Sequence, residues 1–294
     1  MRLSVIVNSR DEGDWIRETV DGLEATLPDD SEIVVVDDGS EDRSVDFLRH
    51  PKGRARRIRN RKPAGMPRAR NQGAGNSTGR YIVFSDAHMR FEKGWWGPLL
   101  KVLDRPKAGA AGAIVGSTEP GPGEAGKFGY GFSLPAPDMV PKWLPPQSGK
   151  ATFRAPFLPG CCLAMRREVF ESTGGYDEGL RARGCVDAEI GIRFWLLGYE
   201  NWIVPRSRVW HHFREHAPYR VPHADAIHNR LRTALVHFES WRVSTVLSTL
   251  KDDACIGPAM LQILEGDVME RRRQMMSQRV RDDDWLMKRF GIPW

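Results

Sequence analysis

An aspartate and a histidine separated by one residue, Asp86 and His88, are the side chains of this sequence best suited to binding a metal. They follow a short apolar run, residues 81–84, of the kind that forms a buried strand. One carboxylate and one imidazole suit Mn²⁺ or a similar borderline ion better than Ca²⁺. Because three-residue patterns often arise by chance, the pair alone is a weak indication. His211, in the sequence VWHHFR, is a candidate third ligand, although a single histidine is more often structural.

Four further carboxylates lie where elements begin or end. Asp37 and Asp38 follow the apolar run IVVV and would lie near the ribose or base of a nucleotide, or would simply form a turn. Asp187 and Glu189 lie at the predicted start of a helix, where acids are also stabilised by the helix dipole alone. Asp187 in that position could instead be a general base acting on an acceptor hydroxyl.

Strand and helix patterns alternate along the first hundred residues, which predicts βαβ units, a mostly parallel sheet flanked by helices, and the α/β class. Ligands of such sheets bind beyond the carboxyl ends of the strands, where the acidic pairs lie. Strands are predicted at 3–8, 33–36, 56–59, 81–84 and 201–204, and helices at 14–27, from Ser40 through Leu48, at 65–77, at 187–197 and from 224 onward.

The composition is that of a globular protein of 294 residues, with 40% hydrophobic and 28% charged residues, which excludes a disordered chain or a fibre. The net charge of 44 − 38 = +6 suits anionic ligands, and residues 52–62 form a basic run that is either a phosphate-attracting patch or a solvated edge. No apolar stretch reaches the roughly 18 residues that a membrane span needs. Four cysteines without a CxxC pair, and no signal peptide, lead us to expect a cytoplasmic protein.

Residues 119–160 form a segment rich in proline and glycine, with Phe128, Tyr130, Phe132 and Trp143 interspersed. A long loop of this composition inside a compact enzyme is either a substrate-facing insertion or a surface excursion whose aromatic residues pack down. The two interpretations are equally compatible with the sequence.

Several segments, taken together and in order, resemble glycosyltransferases of the GT-A fold, most closely the catalytic domain of polypeptide N-acetylgalactosaminyltransferases. They are LSVIVNSRDEG, EIVVVDDGSEDRS, GMPRARNQGAGNSTGRYIVFSDAHMRFEKGWWGPLL, KWLPP, LPGCCLAMRREVFESTGGYDEGL, DAEIGIRFWLLGY and VWHHFREHAPY. DDGS and ARNQGA are also shared with the broader family 2 inverting glycosyltransferases.

The resemblance implies a Rossmann-like GT-A fold, with a helical C-terminal extension, and specific roles for residues. Asp86, His88 and His211 match the metal ligands of the family. The implied donor-binding residues are Ser9, Arg10, Glu12, Asp37, Asp38, Arg68, Asp86, Ala87, Gly160 and Tyr219, and the implied catalytic residues are Asp187, Glu189 and Arg68. The implied division is a catalytic domain over 1–235, made of a nucleotide-sugar half (1–118), the insertion (119–160) and an acceptor and metal half (161–235), followed by the extension over 236–294.

By this resemblance the protein is expected to use Mn²⁺, or another divalent cation, to transfer a hexose or N-acetylhexosamine from a UDP-sugar to a hydroxyl group. The preferred acceptor is a Ser/Thr of a protein or peptide, with a glycan, a modified DNA base or a small metabolite as alternatives. A degenerate domain that binds nucleotide or nucleic acid without turnover is an alternative of another class. A nucleotidyltransferase is disfavoured because residues 1–40 lack its G-x-G-x-R pattern.

The sequence departs from the W-G-G-E-N motif of polypeptide transferases. Val186 stands at the glutamate position and Asp187 at the asparagine position. An aspartate there resembles family 2 enzymes, in which it deprotonates the acceptor for an inverting displacement, whereas polypeptide transferases retain configuration. The departure leaves stereochemistry and donor sugar open. The family's membrane anchor and lectin domain are not expected in this chain.

Overall fold

The structure is a computed structural model that describes residues 3–50, 53–147, 149 and 151–294. Its strands are β1 (Leu3–Ser9), β2 (Ser31–Asp37), β3 (Ala55–Arg59), β4 (Tyr81–Asp86), β5 (Met89–Phe91), β6 (Ala108–Ser117), β7 (Phe132–Ser133), β8 (Lys142–Trp143), β9 (Phe153–Arg154), β10 (Cys162–Arg166) and β11 (Glu200–His211). Its α-helices are α1 (Trp15–Thr26), α2 (Met66–Gly75), α3 (Trp96–Leu103), α4 (Arg167–Ser172), α5 (Val186–Leu196), α6 (His223–His237), α7 (Ser240–Leu250), α8 (Ile256–Leu264), α9 (Val268–Gln278) and α10 (Asp283–Phe290).

A single large sheet, ordered β3-β2-β1-β4-β10-β6-β11-β5, organises the described chain, with β9 added beside β11. β1 pairs in parallel with β2 and β4, β2 with β3, and β6 with β11. β10 runs antiparallel between β4 and β6, and β5 runs antiparallel to β11. The predicted α/β class and mostly parallel sheet are therefore confirmed.

Helices cover both faces of the sheet, which explains why the central strands are apolar on both sides. α1 and α3 pack on one face, and α2, α4 and α5 on the other. α2 approaches β1 and β2 closely, because a Cβ at Gly73 would collide with Ile6 and Val36. Glycine at this position lets α2 lie directly against the sheet.

The predicted helix from Ser40 through Leu48 is wrong: only the short 3-10 turn Asp46–Arg49 is helical. Carboxylates bind backbone N–H groups in this segment, since Asp37 accepts from Ser40 N–H and Asp11 accepts from Glu41 N–H. Arg43 then has a φ of 62°, which no right-handed helix allows. Side-chain hydrogen bonds, one of them from Asp11 in the distant loop after β1, therefore hold this loop in a non-helical conformation.

β11 extends well beyond the predicted strand at 201–204 and includes His211. Its pairing with β6 slips between Val204 and Arg208, a bulge that contains Pro205, which has no N–H to donate. Pairing resumes after the bulge, and His211 lies opposite Met89 of β5. The bulge and the second half of the strand bring His211 to the end of β4.

The C-terminal helices form a second core with α5, α6 and part of the insertion. α5 is consequently buried on both sides, between the sheet and these helices. The boundary at residue 235 stays a prediction, as does a cytoplasmic location. No described helix is both long enough and apolar enough to cross a membrane.

The middle of the basic run at 52–62 forms the edge strand β3 (Ala55–Arg59), and Lys52 lies outside the described residues. Four of its arginines pair with carboxylates: Arg54 with Glu24, Arg56 with Glu32, Arg57 with Asp46 and Arg59 with Asp37. None of its described basic residues lines the cleft. These contacts favour the solvated-edge interpretation over a phosphate-attracting patch.

Candidate active site

A cleft of about 1220 Å³ opens where β1, β2 and β4 end. The loops after these strands, the insertion, the start of α5 and the segment after β11 contribute to its walls. The predicted site residues that line it are Ser9, Arg10, Glu12, Asp38, Arg68, Asp86, Ala87, His88, Gly160, Asp187, His211 and Tyr219. The structure therefore gathers residues from distant parts of the chain at the predicted edge of the sheet.

The three predicted metal ligands converge in this cleft. Asp86 ends β4, His88 follows it, and His211 ends β11, and one ligand atom of each lies within 4.8 Å of the others. The Nε2 atom of His211 is 3.0 Å from His88 Nε2 and 3.4 Å from Asp86 Oδ2. Two imidazoles and a carboxylate facing one point form a donor set suited to Mn²⁺ and similar divalent ions.

The Asp86 carboxyl group is held in its charged form. Burial acts to raise its pKa, but the hydrogen bond from His211 and the charges of His88 and Arg70 outweigh that effect and lower the pKa well below its usual range. The group is therefore ionised at neutral pH. Ionised carboxylate is the form that binds a cation.

Glu12 positions one of the histidines. Its Oε2 atom lies 2.9 Å from His88 Nδ1 and 2.7 Å from Arg214, and the side chain is almost completely buried. A hydrogen bond from Nδ1–H to Glu12 leaves His88 Nε2 free to bind a metal, since the bond fixes both the tautomer and the ring orientation. Glu12 thereby also joins the loop after β1 to the segment after β11.

We predict that Glu12→Ala weakens Mn²⁺ binding by about ten- to hundredfold, the usual effect of removing the partner of a metal-binding histidine. Isothermal titration calorimetry with Mn²⁺ alone measures this affinity without turnover. Glu18→Ala is the matched control, because Glu18 lies on α1 in an exposed pair with Arg90. Equal affinities of Glu12→Ala and the wild type would show that Glu12 does not orient His88.

Arg70 is the residue of this site that the sequence did not reveal. Its side chain is fully buried, and it donates to Asp187 Oδ1 at 3.1 Å, to Asp86 Oδ1 at 3.4 Å and to the Gly160 carbonyl oxygen at 2.9 Å. A single guanidinium therefore bridges the metal-binding carboxylate and the candidate base. Arg68, the predicted arginine two residues earlier, lines the cleft with an exposed side chain.

Asp187 lies at the start of α5 with 36% of its side chain exposed to the cleft. Burial of the carboxyl group raises its pKa, and the negative charge of Asp86 raises it further. The positive charge of Arg70 lowers the pKa but does not cancel these effects, so the pKa of Asp187 is above its ordinary value. A Cβ at Gly160 would collide with the Asp187 carboxylate. The predicted role of Gly160 in this cleft therefore has a steric reason, since only glycine lets the carboxylate lie there.

Asp37 and Asp38 differ in position, although the sequence grouped them. Asp38 lines the cleft and accepts from Ala64 N–H and Gly65 N–H, just before α2. Asp37 was predicted to bind the donor, but the structure corrects this. Asp37 is fully buried, does not line the cleft, and accepts a hydrogen bond from Ser40 N–H. Consecutive residues at a strand end point to opposite faces, so only one of the two can face a ligand.

The end of β1 offers polar groups that lack a protein partner among the described residues. The Asn8 Oδ1 and Ser9 Oγ atoms are buried without a hydrogen bond, and both residues line the cleft. Buried polar atoms are nearly always hydrogen-bonded, so these two indicate a ligand site. The next residue, Arg10, lies 4.3 Å from the centre of the Tyr219 ring and so contacts the segment after β11 at this end of the cleft.

Glu189, predicted as catalytic, is not at the cleft. It is completely buried and pairs with Arg193 and His237, at 2.9 Å each. Burial acts to raise its pKa, but the charges and hydrogen bonds of Arg193 and His237 lower it well below the usual range. Because two residues along a helix correspond to about 200°, Asp187 and Glu189 face nearly opposite directions, which corrects the prediction.

We therefore expect Glu189→Gln to lower the free energy of unfolding by about 3–5 kcal/mol, the usual cost of removing one partner of a buried ion pair and leaving the other charge unpaired. Glu171→Gln, in the exposed pair with Arg167, should cost less than about 1 kcal/mol. Urea denaturation followed by circular dichroism measures both. Wild-type stability combined with lost turnover in Glu189→Gln would restore a catalytic role.

Comparison with known proteins identifies the family. The family model described as "Glycosyl transferase family 2" matches residues 4–174, more than half of the chain. The chain belongs to glycosyl transferase family 2. The matched range includes β1, β2, β4 and β10 and the first two metal-binding candidates.

The relatives of this family 2 chain include polypeptide N-acetylgalactosaminyltransferase 11 of Xenopus tropicalis, which is 32% identical over 236 residues, covering 72% of this chain and 38% of the relative. The inactive polypeptide N-acetylgalactosaminyltransferase-like protein 5 of Mus musculus is 26% identical over 254 residues, covering 82% of this chain and 57% of that protein. The chain thus spans well under two thirds of the length of these relatives.

A crystal structure of GalNAc-T7 with UDP, GalNAc and Mn²⁺ matches 99% of this chain and 56% of that chain, with a TM-score of 0.80 and 22% sequence identity. The match confirms the predicted GT-A fold for this family 2 chain. At this level of identity it supports the fold alone.

The two departures from the W-G-G-E-N motif have different structural consequences. Val186 is buried in the core behind the sheet, whereas Asp187 lines the cleft. The difference that bears on chemistry in this family 2 chain is therefore the carboxylate of Asp187.

Proposed function

We propose that this chain is a divalent-metal-dependent glycosyltransferase that transfers a hexose or N-acetylhexosamine from a UDP-sugar to the hydroxyl group of a Ser/Thr side chain. The observation that carries the proposal is the convergence of Asp86, His88 and His211 at one cleft, with Asp187 joined to Asp86 through Arg70. Family 2 membership and the polypeptide N-acetylgalactosaminyltransferase relatives support it.

The end of the cleft formed by β1, β2 and β4 suits the UDP-sugar donor. Asn8, Ser9 and Asp38, at the ends of β1 and β2, offer polar atoms to the nucleoside, and Tyr219 covers this end from the segment after β11. Asp86, His88 and His211 would hold the divalent cation, which as a Lewis acid offsets the negative charge that develops on the departing nucleoside diphosphate. The exposed arginine Arg68 lines the same cleft and adds positive charge.

Asp187 is the general base of this proposal. It lies at the cleft, burial raises its pKa, and it is bonded to Arg70, so that as a carboxylate it can accept the proton of an attacking hydroxyl group. Deprotonation of the acceptor by a carboxylate opposite the departing diphosphate corresponds to an inverting displacement. We therefore propose inversion, in line with the aspartate and not with the asparagine of the polypeptide transferase motif.

The insertion contributes the acceptor side. Phe132 and Trp143 pack with ring centroids 4.1 Å apart, and Trp143 lies 6.4 Å from Phe213, two residues after His211. All three line the cleft, and Trp143 and Phe213 are 40% and 49% exposed. An exposed aromatic wall beside the metal-binding residues favours the substrate-facing interpretation of residues 119–160.

The proposal is tested by incubating the protein with UDP-GalNAc, Mn²⁺ and a Thr-containing peptide, and analysing the peptide by mass spectrometry. The expected result is the addition of one N-acetylhexosamine, absent when EDTA replaces Mn²⁺. UDP-GlcNAc, UDP-glucose and UDP-galactose are compared in parallel, since the sugar is not fixed by the site. Unmodified peptide with every donor, although donor is hydrolysed, would contradict the peptide acceptor.

A further inference from the structure

The carboxylate of Asp187 is held in place by two neighbours. Arg70 donates to its Oδ1 atom at 3.1 Å, and the Gly160 backbone N–H donates to the same carboxylate. Because 36% of the Asp187 side chain is exposed, these two contacts, and not dense packing, determine where the carboxylate lies. A general base must lie within hydrogen-bonding distance of the proton that it accepts. The groups that orient Arg70 therefore bear directly on the proposed base.

Arg70 is anchored at both of its terminal nitrogens. Besides Asp187, the Nη1 atom donates to the Tyr176 hydroxyl oxygen at 3.1 Å. The Nη2 atom donates to the Gly160 carbonyl oxygen at 2.9 Å and to Asp86 Oδ1 at 3.4 Å. A guanidinium group is planar and presents its N–H groups in fixed directions, so one orientation serves all four acceptors. Arg70 thus holds the base directly and also holds the backbone against which the base lies.

Tyr176 contacts Arg70 through both its hydroxyl group and its ring. The guanidinium carbon lies 5.0 Å from the centre of the ring, in addition to the hydrogen bond from Nη1. The ring packs edge-on against Phe84 of β4, with ring centroids 5.0 Å apart, and the side chain is 1% exposed. Packing against the sheet therefore fixes the hydroxyl group that Arg70 meets.

The turn before Tyr176 ties this tyrosine to α2. Gly174 and Gly175 have φ values of 86° and 66°. Asn71, which follows Arg70 in α2, accepts from the Tyr176 N–H at 2.8 Å and donates to the Tyr176 carbonyl oxygen at 2.9 Å. A Cβ at Gly175 would lie 2.8 Å from Asn71 Oδ1, so glycine permits this contact. The Gly-Gly-Tyr sequence therefore fixes Tyr176 next to Arg70.

Neither Arg70 nor Tyr176 is among the described residues that line the cleft, and each is 1% exposed. Asp187 and Gly160, which they hold, do line it. The two buried residues can therefore act on the reaction only through the groups that reach the cleft.

We propose that Arg70 and Tyr176 are positioning residues of the base: Tyr176 orients the Arg70 guanidinium group, and Arg70 directs the Asp187 carboxylate toward the acceptor. The inference rests on the proposed function, in which Asp187 is the general base, and adds the device that aims it. Asp86 and Gly160 anchor the other end of the guanidinium group, so the base lies at a fixed position relative to the metal-binding carboxylate.

Tyr176→Phe is the most direct test, because it keeps the ring and its packing and removes only the hydroxyl group. We expect the kcat of transfer at saturating Mn²⁺ to fall by about tenfold, the lower end of the usual effect of outer partners in a site. The KM for the UDP-sugar should change little. Tyr199→Phe is the matched control, since Tyr199 packs on the same core cluster and does not line the cleft. A wild-type kcat in Tyr176→Phe would overturn the proposal.

Arg70→Lys keeps the positive charge but replaces the planar fork with a single ammonium group, which cannot serve all four acceptors. We expect kcat to fall by about a hundredfold, the cost of a small misplacement of a reacting group. Arg167→Lys is the control, because Arg167 also donates to several partners beside α2 but does not line the cleft. A wild-type kcat in folded Arg70→Lys would overturn the proposal. If circular dichroism shows that Arg70→Lys does not fold, Tyr176→Phe decides.

A double-mutant cycle separates positioning of the base from a general structural role. In the Asp187→Asn background the base is already absent, so Tyr176→Phe should cause no further loss of kcat, as for residues that act as a unit. A second, multiplicative loss in that background would overturn the assignment to the base. If the wild type transfers no sugar from any UDP-sugar, the proposed function fails and this inference fails with it. If the wild type is active and Tyr176→Phe is equally active, only this inference fails.

Discussion

His211→Ala is expected to reduce Mn²⁺-dependent turnover to background and to weaken Mn²⁺ binding by more than about a hundredfold. The loss should exceed the roughly 10–100-fold effect of removing a partner outside the coordination sphere, because His211 would supply a ligand atom itself. Its Nε2 atom lies at the centre of the triad, 3.0 Å from His88 and 3.4 Å from Asp86. The half-buried ring packs beside Phe213 at the surface of the cleft, so its removal should leave the fold intact.

His212→Ala is the matched control for this prediction. His212 is the next residue, is similarly half-buried, and stacks on Trp15 with ring centroids 4.3 Å apart, outside the triad. Calorimetric titration with Mn²⁺ and a UDP-release assay are carried out on both variants. Wild-type Mn²⁺ affinity and wild-type rate in His211→Ala would remove the metal assignment, whatever His212→Ala shows.

Asp187→Asn is expected to reduce the transfer rate by about 10²–10⁴-fold, the usual contribution of a general base. Asparagine has nearly the same shape and can still accept from Arg70 through its side-chain oxygen, so the variant removes the basicity and little else. Donor binding and Mn²⁺ affinity should change much less than the rate. Glu215→Gln is the control, because Glu215 is an exposed carboxylate of the cleft lining that forms no ion pair in the described part of the chain.

The pH dependence gives a second measure of the same role. A base must be deprotonated to act, so the transfer rate falls as the pH drops through the pKa of Asp187. Burial raises that pKa above the ordinary value of 3.8, and the acidic limb should lie correspondingly higher than for an exposed aspartate. The limb should vanish in Asp187→Asn. A near-normal rate in the variant, with a product of retained anomeric configuration by NMR, would show that Asp187 is not the base.

The elements that carry the site could be predicted where local pattern decides structure. Apolar runs give β1, β2 and β4, and the polar residues after them mark the carboxyl edge of a parallel sheet. The loop after β2 could not be predicted in the same way. Its helix-like composition is overridden by side chains such as Asp11 that lie 30 residues away in sequence and bind its backbone N–H groups.

Two pairs of residues show why the site itself could be predicted only in part. Arg68 and Arg70 on α2, and Asp187 and Glu189 on α5, are each two residues apart on a helix and therefore point in nearly opposite directions. The motifs identify these residue types, but which member faces the cleft depends on how each helix packs. α2 turns Arg70 inward to join two carboxylates, and α5 turns Glu189 toward Arg193 and His237.

The most direct test of the account is UDP release from a panel of UDP-sugars, measured with Mn²⁺ and with EDTA before any acceptor is added. Slow hydrolysis of one donor, lost with EDTA and lost in His211→Ala, is the predicted result and identifies the transferred sugar. UDP binding is measured in the same samples. Binding of UDP without release from any donor, even after peptide is supplied, would favour a family 2 domain without turnover. If the protein shows no UDP release and no UDP binding, the assignment of this cleft to a UDP-sugar is contradicted.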